Sequence, residues 1–198
     1  MRSAFAGVFS VVALAATTIT AQAPAPLAVG SAKVTVTGTT NVHGYTAETT
    51  TVRLTGVKTG AFDGDLWALV EKPSLVESFG IVIPAASLHS TKDGIDKNMH
   101  KALKVTEHKD ITYTVKTLDA RGGGALRANG TLTIAGVSKP VVLDLKAQRA
   151  GSNLSVVGEI ALLMTDYGVK PPKAMMGMMR TDPKITIRIE LVLKPSAS

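Results

Sequence analysis

Four methionines lie close together in the chain, and their thioether sulfurs are soft ligands of the kind that Cu(I) prefers. They follow the pair Pro171–Pro172 and stand at Met175, Met176, Met178 and Met179. Because the prolines and Gly177 disfavour a helix, we predict a loop. Three interpretations stay open: a copper site assisted by a histidine, a flexible lip over an apolar cavity, or packing onto the end of a barrel.

The other residues that could do chemistry match no recognised motif. The four histidines lack the spacing of a zinc site, and the chain contains no cysteine. No G-x-S-x-G elbow is present, and the glycines at 122–124 lack the spacing of a nucleotide-binding loop. We therefore predict a protein that is not an enzyme and that uses no cofactor, with no metal site of recognised spacing.

The first residues of the chain have the pattern of an export signal. Arg2 precedes a mostly apolar run at 4–16, and Ala21-Gln22-Ala23 has the small-x-small form of a signal-peptidase site. We expect residues 1–23 to be a cleaved signal peptide and residues 24–198 to form one domain in the periplasm or outside the cell. Without cysteine, that domain must be held by packing and strand pairing rather than by disulfides.

Charge and composition narrow the choice of partners. The chain has a net charge of +7, but its lysines and arginines are spread out rather than clustered in a run. Aromatic residues make up only 4% of the chain, which is too few for a base-stacking platform. We predict no nucleic-acid binding and a weak association with anionic membrane surfaces.

Alternation of apolar and polar residues is the main structural signal. Near the C-terminus every second residue is aliphatic, at Ile185, Ile187, Ile189, Leu191 and Leu193. Successive side chains of a strand point to opposite faces, so this segment is predicted to be a half-buried strand. The same period recurs around Val34, Val52, Ile81, Tyr113, Leu132, Val141 and Val156, and less regularly over 64–71.

These strands predict an all-β fold with a hydrophobic interior. The connection at 136–140 is too short for a crossover helix, so its strands are antiparallel. One short helix is predicted, with Asp93 as its N-cap and Ile95, Met99 and Ala102 on its apolar face. About eight such strands form a barrel or a two-sheet sandwich. The scarcity of aromatic side chains favours an interior with a cavity, of the kind that a single antiparallel lipocalin-like barrel encloses.

Five segments, in order along the chain, resemble the YceI-like domain. GTLTIAGVSKPVVLDL at 130–145 is similar to the family's G-x-L-T-I-x-G-V-T-K-P-V stretch. Further similar segments are GTTNVHG at 38–44, IPAASLHS at 83–90, DKNMHKAL at 96–103 and MTDYGVKPP at 164–172. Several positions depart from the commoner family pattern: Met164 and Tyr167 replace an arginine and a phenylalanine, Asn98-Met99 replaces His-Leu, and Gly44 replaces a tryptophan.

The resemblance implies an exported, eight-stranded antiparallel barrel that encloses a polyisoprenoid chain without catalysing a reaction. We accordingly expect binding, sequestration or transport of an isoprenoid or other lipid-like molecule. A barrel filled by its own side chains, acting as a structural or stress-related interaction protein, is the remaining alternative. The predicted ligand-binding residues are Ile81, Ile83, Tyr113, Leu132, Ile134, Val156, Ile160, Leu162, Met164, Tyr167, Met175 and Met176.

Overall fold

Eleven strands make up most of the chain in the computed structural model, which describes residues 27–174 and 178–196. The strands are β1 Leu27–Thr40, β2 Gly44–Thr49, β3 Arg53–Thr59, β4 Val76–Pro84, β5 His89–Ser90, β6 Asp110–Gly122, β7 Ala125–Ile134, β8 Val137–Ala150, β9 Asn153–Leu163, β10 Lys173–Ala174 and β11 Met179–Pro195. The α-helices are α1 Ala68–Glu71 and α2 Asp93–Leu103, and short 3₁₀ turns lie at Pro73–Leu75, Ala85–Ser87 and Met164–Tyr167.

The strands form one antiparallel sheet that curls into a half-barrel. Its hydrogen-bonded order is β3-β4-β6-β7-β8-β9-β11-β1-β2-β5, and β10 pairs only with β11. The prediction of an all-β, antiparallel, barrel-like fold is confirmed. The structure has more strands than the eight or so predicted, because β2, β5 and β10 are too short or too polar to give a clear alternation.

The prediction of a strand over 64–71 is wrong, because this segment forms a turn followed by helix α1. The carboxylate of Asp65 accepts a hydrogen bond from the backbone N–H of Trp67 (3.0 Å), which stabilises the turn before the helix. Leu66, Leu69 and Val70 are all buried. Their spacing is that of a helix face, so the apolar residues that suggested a strand have the helical period instead.

The predicted helix is present as α2, but Asp93 does not cap it. Lys92 occupies the N-cap position, Asp93 is the first helical residue, and no side chain caps the N-terminus. The helix ends at Leu103, and the C-cap residue Lys104 adopts the left-handed conformation (φ 53°).

The connection between β7 and β8 is shorter than predicted. Only Ala135 and Gly136 separate the two strands, and both have positive φ (48° and 79°), as a tight two-residue hairpin turn requires. Residues 137–140, predicted as part of the connection, belong to β8. The predicted antiparallel pairing of these neighbours is confirmed, with Thr131 opposite Pro140.

The concave face of the sheet carries two hydrophobic clusters. One includes Leu69 and Val70 of α1 together with Leu191 and Leu193 of β11, and we call this region the α1 end. The other includes Ile134 and Tyr167, with Ala102 and Leu103 of α2 packed against it, and we call this region the α2 end. The alternating side chains of the long strands therefore supply a continuous interior with a different helix over each end.

Tyr113 stands between the two ends. Its ring lies against Gly130, where a Cβ atom would come within 2.6 Å of the tyrosine Cζ. Its hydroxyl donates a hydrogen bond to the carbonyl oxygen of Ala128 (2.9 Å), and burial raises its pKa to about 12. The glycine at 130 is thus required by a close approach of the aromatic ring to the backbone.

Candidate functional site

The α2 end contains a cavity of about 380 Å³ between the concave sheet and α2. Its walls come from β1, β7, β9, β11 and the 3₁₀ turn at Met164–Tyr167. Most of the lining is aliphatic, and Ile134, Met164 and Tyr167 are buried. A well-formed apolar cavity of this size is the usual form of a small-molecule site.

Helix α2 covers this cavity with its apolar face. Ile95, Met99 and Ala102, spaced as i, i+4 and i+7, line the cavity as the sequence pattern predicted for a helix face. Lys97 and Lys101 lie on the opposite, exposed face. The helix is therefore a cover with an apolar inner side and a basic outer side.

Polar side chains collect where the cavity opens to solvent, and we call this rim the mouth. The register of the strand pairs β1–β11 and β2–β5 brings these polar residues together. Thr40 pairs with Thr181, and Ala47 pairs with Ser90, so continuing the second ladder by two residues brings Lys92 towards Tyr45. The polar lining residues of the mouth are Thr40, His43, Tyr45, Lys92, Asn98 and Thr181. No carboxylate lies among the described residues that line the cavity.

Tyr45 reaches the mouth from β2. Its ring covers Gly38 so closely that any side chain at position 38 would collide with the phenol. Burial raises the pKa of Tyr45, and the nearby negative charge of Asp182 raises it further. Its hydroxyl therefore stays protonated at neutral pH and can donate a hydrogen bond to a bound polar group.

Two histidines and Asp96 fasten α2 to the neighbouring strand. The Asp96 carboxylate accepts one hydrogen bond from the backbone N–H of Ser90 (2.6 Å), and its other oxygen lies 3.0 Å from His89 Nδ1. His100 Nε2 lies 2.8 Å from the carbonyl oxygen of Leu88, and the two imidazole rings meet edge to face. Partial burial opposes ionisation of Asp96, but the bonds from Ser90 and His89 outweigh it and lower its pKa.

The α1 end contains a second cavity of about 90 Å³ with an almost wholly apolar lining. Leu69 and Val70 of α1 contribute to its wall. Beside α1, Arg149 pairs with both carboxylate oxygens of Asp65 (3.0 and 2.7 Å) and stacks over the Trp67 ring at 5.3 Å. The hydrogen bonds from Arg149 lower the pKa of Asp65, and the N–H of Trp67 adds to that effect.

The predicted ligand-binding residues are divided between the two cavities. Ile134, Leu162, Met164 and Tyr167 line the larger cavity, whereas Ile81, Tyr113 and Val156 line the smaller one. Ile83, Leu132 and Ile160 line neither of these two cavities. Met175 and Met176 lie outside the described residues, so the predicted role of the methionine loop stays a prediction.

The structure adds lining residues that the prediction omitted. Ile185 and Ile187 line the larger cavity, and their alternation in the sequence could have identified them. Tyr45 was missed because β2 itself was not recognised as a strand, and Thr40 because the strand predicted around Val34 was not extended to the end of β1. Within residues 27–174 and 178–196, no group of three or more histidine, aspartate or glutamate side chains could hold a metal ion.

The family model of the YceI-like domain matches residues 29–193, nearly the whole described barrel. The chain belongs to the YceI-like family. A relative of this YceI-like chain, a UPF0312 protein of Shewanella baltica, is 27% identical over 117 residues, which are 55% of this chain. The match spans 61% of the relative's length.

Solved structures share the fold of this YceI-like domain. BcnA of Burkholderia cenocepacia superposes with a TM-score of 0.64 at 16% identity, covering 81% of this chain and 95% of BcnA. A polyisoprenoid binding domain from Saccharophagus degradans, implicated in plant cell wall breakdown, gives a TM-score of 0.63 at 13% identity, covering 87% and 99%. The YceI protein of Campylobacter jejuni gives 0.55 at 18% identity, covering 75% and 85%.

Proposed function

We propose that this YceI-like domain binds an isoprenoid or other lipid-like molecule in the cavity at the α2 end, without catalysing a reaction. The observation that carries the proposal is the open, aliphatic cavity of about 380 Å³ beneath α2. Moving apolar ligand surface from water into such a cavity is favourable by roughly 25 cal/mol per Å², before the costs of association. The Saccharophagus degradans relative, a polyisoprenoid binding domain by its own description, supports the same ligand class.

The apolar inner wall and the polar mouth of the cavity would orient a bound ligand. The inner wall is formed by aliphatic side chains such as Leu162, Ile185 and Ile187, which suit a hydrocarbon chain. The mouth offers the donors of Lys92, Tyr45 and Asn98. A lipid-like ligand would place its chain inward and its polar end at the mouth.

We further propose that the domain works in the periplasm or outside the cell after removal of residues 1–23. The apolar run and the Ala21-Gln22-Ala23 pattern support this location. A carrier of an apolar molecule is useful there because such a molecule has little solubility in the aqueous space between membranes.

Native mass spectrometry of the full-length gene product, purified from its own host, tests both proposals. We expect a protein mass lacking residues 1–23 and a bound species that organic solvent extracts. Repeated preparations with the mass of the bare protein, and no uptake of an added long-chain isoprenoid, would overturn the binding proposal. A retained N-terminal segment would overturn the proposed processing.

A pair of matched substitutions locates the site. Ala102→Trp places an indole in the larger cavity, whereas Ala161→Trp adds the same group to the exposed outer face of β9. We expect Ala102→Trp to abolish stoichiometric isoprenoid binding and Ala161→Trp to leave it unchanged, with circular dichroism confirming that both variants fold. Equal binding by both variants would place the ligand elsewhere.

A further inference from the structure

The two most exposed large hydrophobic side chains of the described residues belong to two segments that hydrogen bonds join beside the mouth. Val42 is 67% exposed and Met178 is 69% exposed. Asn41 joins their segments: its Nδ2 donates a hydrogen bond to the carbonyl oxygen of Met178 (2.9 Å), and its Oδ1 accepts one from the N–H of Arg180 (2.8 Å). We call Val42 and Met178 together the apolar tip.

The turn that carries Val42 is held by its own hydrogen bonds. Thr40 Oγ1 accepts from the N–H groups of Val42 (3.2 Å) and His43 (3.0 Å), and it donates to the carbonyl oxygen of His43 (2.8 Å). Nothing in this turn requires an aliphatic side chain at position 42, where turns usually carry polar residues. One exposed valine is ordinary on a protein surface, but a second exposed apolar residue on the hydrogen-bonded neighbouring segment makes the apolar tip a candidate contact surface.

The apolar tip borders the entrance to the larger cavity. Thr40 and His43, which flank Val42, line the cavity, and Met179, which follows Met178, lines it as well. Anything that contacts the apolar tip therefore meets the cavity mouth at the same time.

The same end of the molecule exposes a group of lysines. Lys97, Lys101 and Lys104 form an exposed stripe along the outer face of α2, and Lys92 lines the mouth. No salt bridge joins these four lysines to another described residue. The nearby carboxylates are Asp93, Asp96, Glu107, Asp166 and Asp182, and Asp96 is already bonded to Ser90 and His89.

From this juxtaposition we infer that the α2 end docks on an anionic phospholipid bilayer, with the apolar tip in the interface and the lysine stripe against the headgroups. An exposed apolar pair beside lysines matches the two components of such a surface, since each lysine near an anionic membrane contributes about 1 kcal/mol. Docking in this way presents the cavity mouth to the lipid. None of the helices in the described ranges is long and apolar enough to span a bilayer.

The inference deepens the proposed function, because a carrier whose mouth faces the membrane can exchange an apolar ligand without passing it through water. The docking step itself does not depend on ligand, so the two proposals are tested separately. Ala102→Trp should lose isoprenoid binding and keep vesicle binding, whereas changes at the apolar tip should do the reverse.

Vesicle co-sedimentation of the mature protein tests the docking. We expect binding to phosphatidylcholine vesicles that contain phosphatidylglycerol, weaker binding to pure phosphatidylcholine, and a decline as salt is added. The double change Val42→Ser with Met178→Ser, and separately Lys97→Gln with Lys101→Gln, should each lower the partition coefficient by about tenfold or more. Val142→Ser, at a 51% exposed valine on β8 away from the mouth, is the matched control and should change little.

Three outcomes would overturn the inference. These are equal binding to the two kinds of vesicle, no vesicle binding by a protein that still binds isoprenoid, and a loss with Val142→Ser as large as that with the apolar-tip changes. If vesicle binding fails while a protein copurifies through the apolar tip, the partner is another protein and the membrane assignment is wrong.

Discussion

The two ends of the barrel interior are built by the same strands but differ in how completely they are filled. Strand β11 shows this directly: Ile185 and Ile187 line the cavity of about 380 Å³, whereas Leu191 and Leu193 line the cavity of about 90 Å³. The alternation of β11 is unbroken between them. What differs is the cover, because α1 buries Leu69 into the interior while α2 lies across an opening.

Under the proposed function, the α1 end serves stability and the α2 end serves binding. A filled interior gains dispersion contacts for every side chain, whereas the walls of a cavity forgo some of them. The α1 end also has the Arg149–Trp67 stack beside its helix, while the larger cavity is rimmed by polar groups open to solvent. We therefore expect truncations at the two ends to have different costs.

The largest expected difference is between Leu66→Ala at the α1 end and Ile185→Ala in the wall of the larger cavity. Leu66 is 2% exposed, so its truncation should lower the free energy of unfolding by about 2–5 kcal/mol. Ile185 already borders empty space, so its loss should cost about half as much in the absence of ligand. Urea denaturation at equilibrium measures both values, and a larger cost for Ile185→Ala would contradict the division of roles.

Sequence reasoning succeeded where one physical signal dominated. The long strands β7, β9 and β11 each bury one face. Burial of one face requires apolar and polar residues to alternate along the strand, and this alternation predicted the strands. It failed at 64–71, where Leu66, Leu69 and Val70 fit a helix turn as readily as a strand, and at β2, whose buried residues Ala47 and Thr49 are not strongly apolar. Short segments take their structure from tertiary contacts.

The next prediction concerns the attachment of α2, the element that makes the α2 end different. Asp96→Ala removes the acceptor of the bonds from Ser90 and His89, and we expect a loss of about 1.5–3 kcal/mol for bonds to a charged group. Amide hydrogen exchange of α2 should speed up more than that of α1. Asp93→Ala is the matched control, because Asp93 lies in the same first turn and makes no capping bond.

The pH dependence of this attachment follows from the same bonds. The pKa of Asp96 is lowered in the folded protein, so its contribution is present at neutral pH. It should be lost as the pH falls below about 4 and passes through the lowered folded value. An α2 whose exchange rate is the same at pH 7 and pH 3, relative to the rest of the barrel, would show that Asp96 does not hold it.

The candidate site could be predicted only in part. A lining residue must face the interior and must also lie at the level of the cavity along the barrel axis, and the sequence pattern reports only the first. Alternation placed Ile81, Ile134 and Leu162 on the inner face, but it carries no information on position along the barrel axis. The larger cavity depends on where α2 crosses the sheet. That crossing is set by contacts such as His100 with Leu88, which are remote in sequence and have no local signature.

The smallest expected effect is at Tyr113, which stands between the two ends. Tyr113→Phe removes the hydrogen bond to Ala128 and should cost about 1 kcal/mol in urea denaturation at neutral pH. Burial raises the pKa of Tyr113 to about 12, so the folded protein keeps a proton that the unfolded chain releases above about pH 10. Stability should therefore decline as the pH rises from 10 to 12, and part of that decline should vanish in Tyr113→Phe.

The same variant tests whether the interior is divided as the structure indicates. Tyr113 lines only the smaller of the two cavities, so a ligand confined to the α2 end should bind Tyr113→Phe and the unmodified protein equally well. If isoprenoid affinity changes severalfold, the hydrocarbon chain must extend past the Tyr113 ring into the α1 end. The two cavities would then act as one tunnel, and the contrast between a filled end and a hollow end would describe only the empty protein.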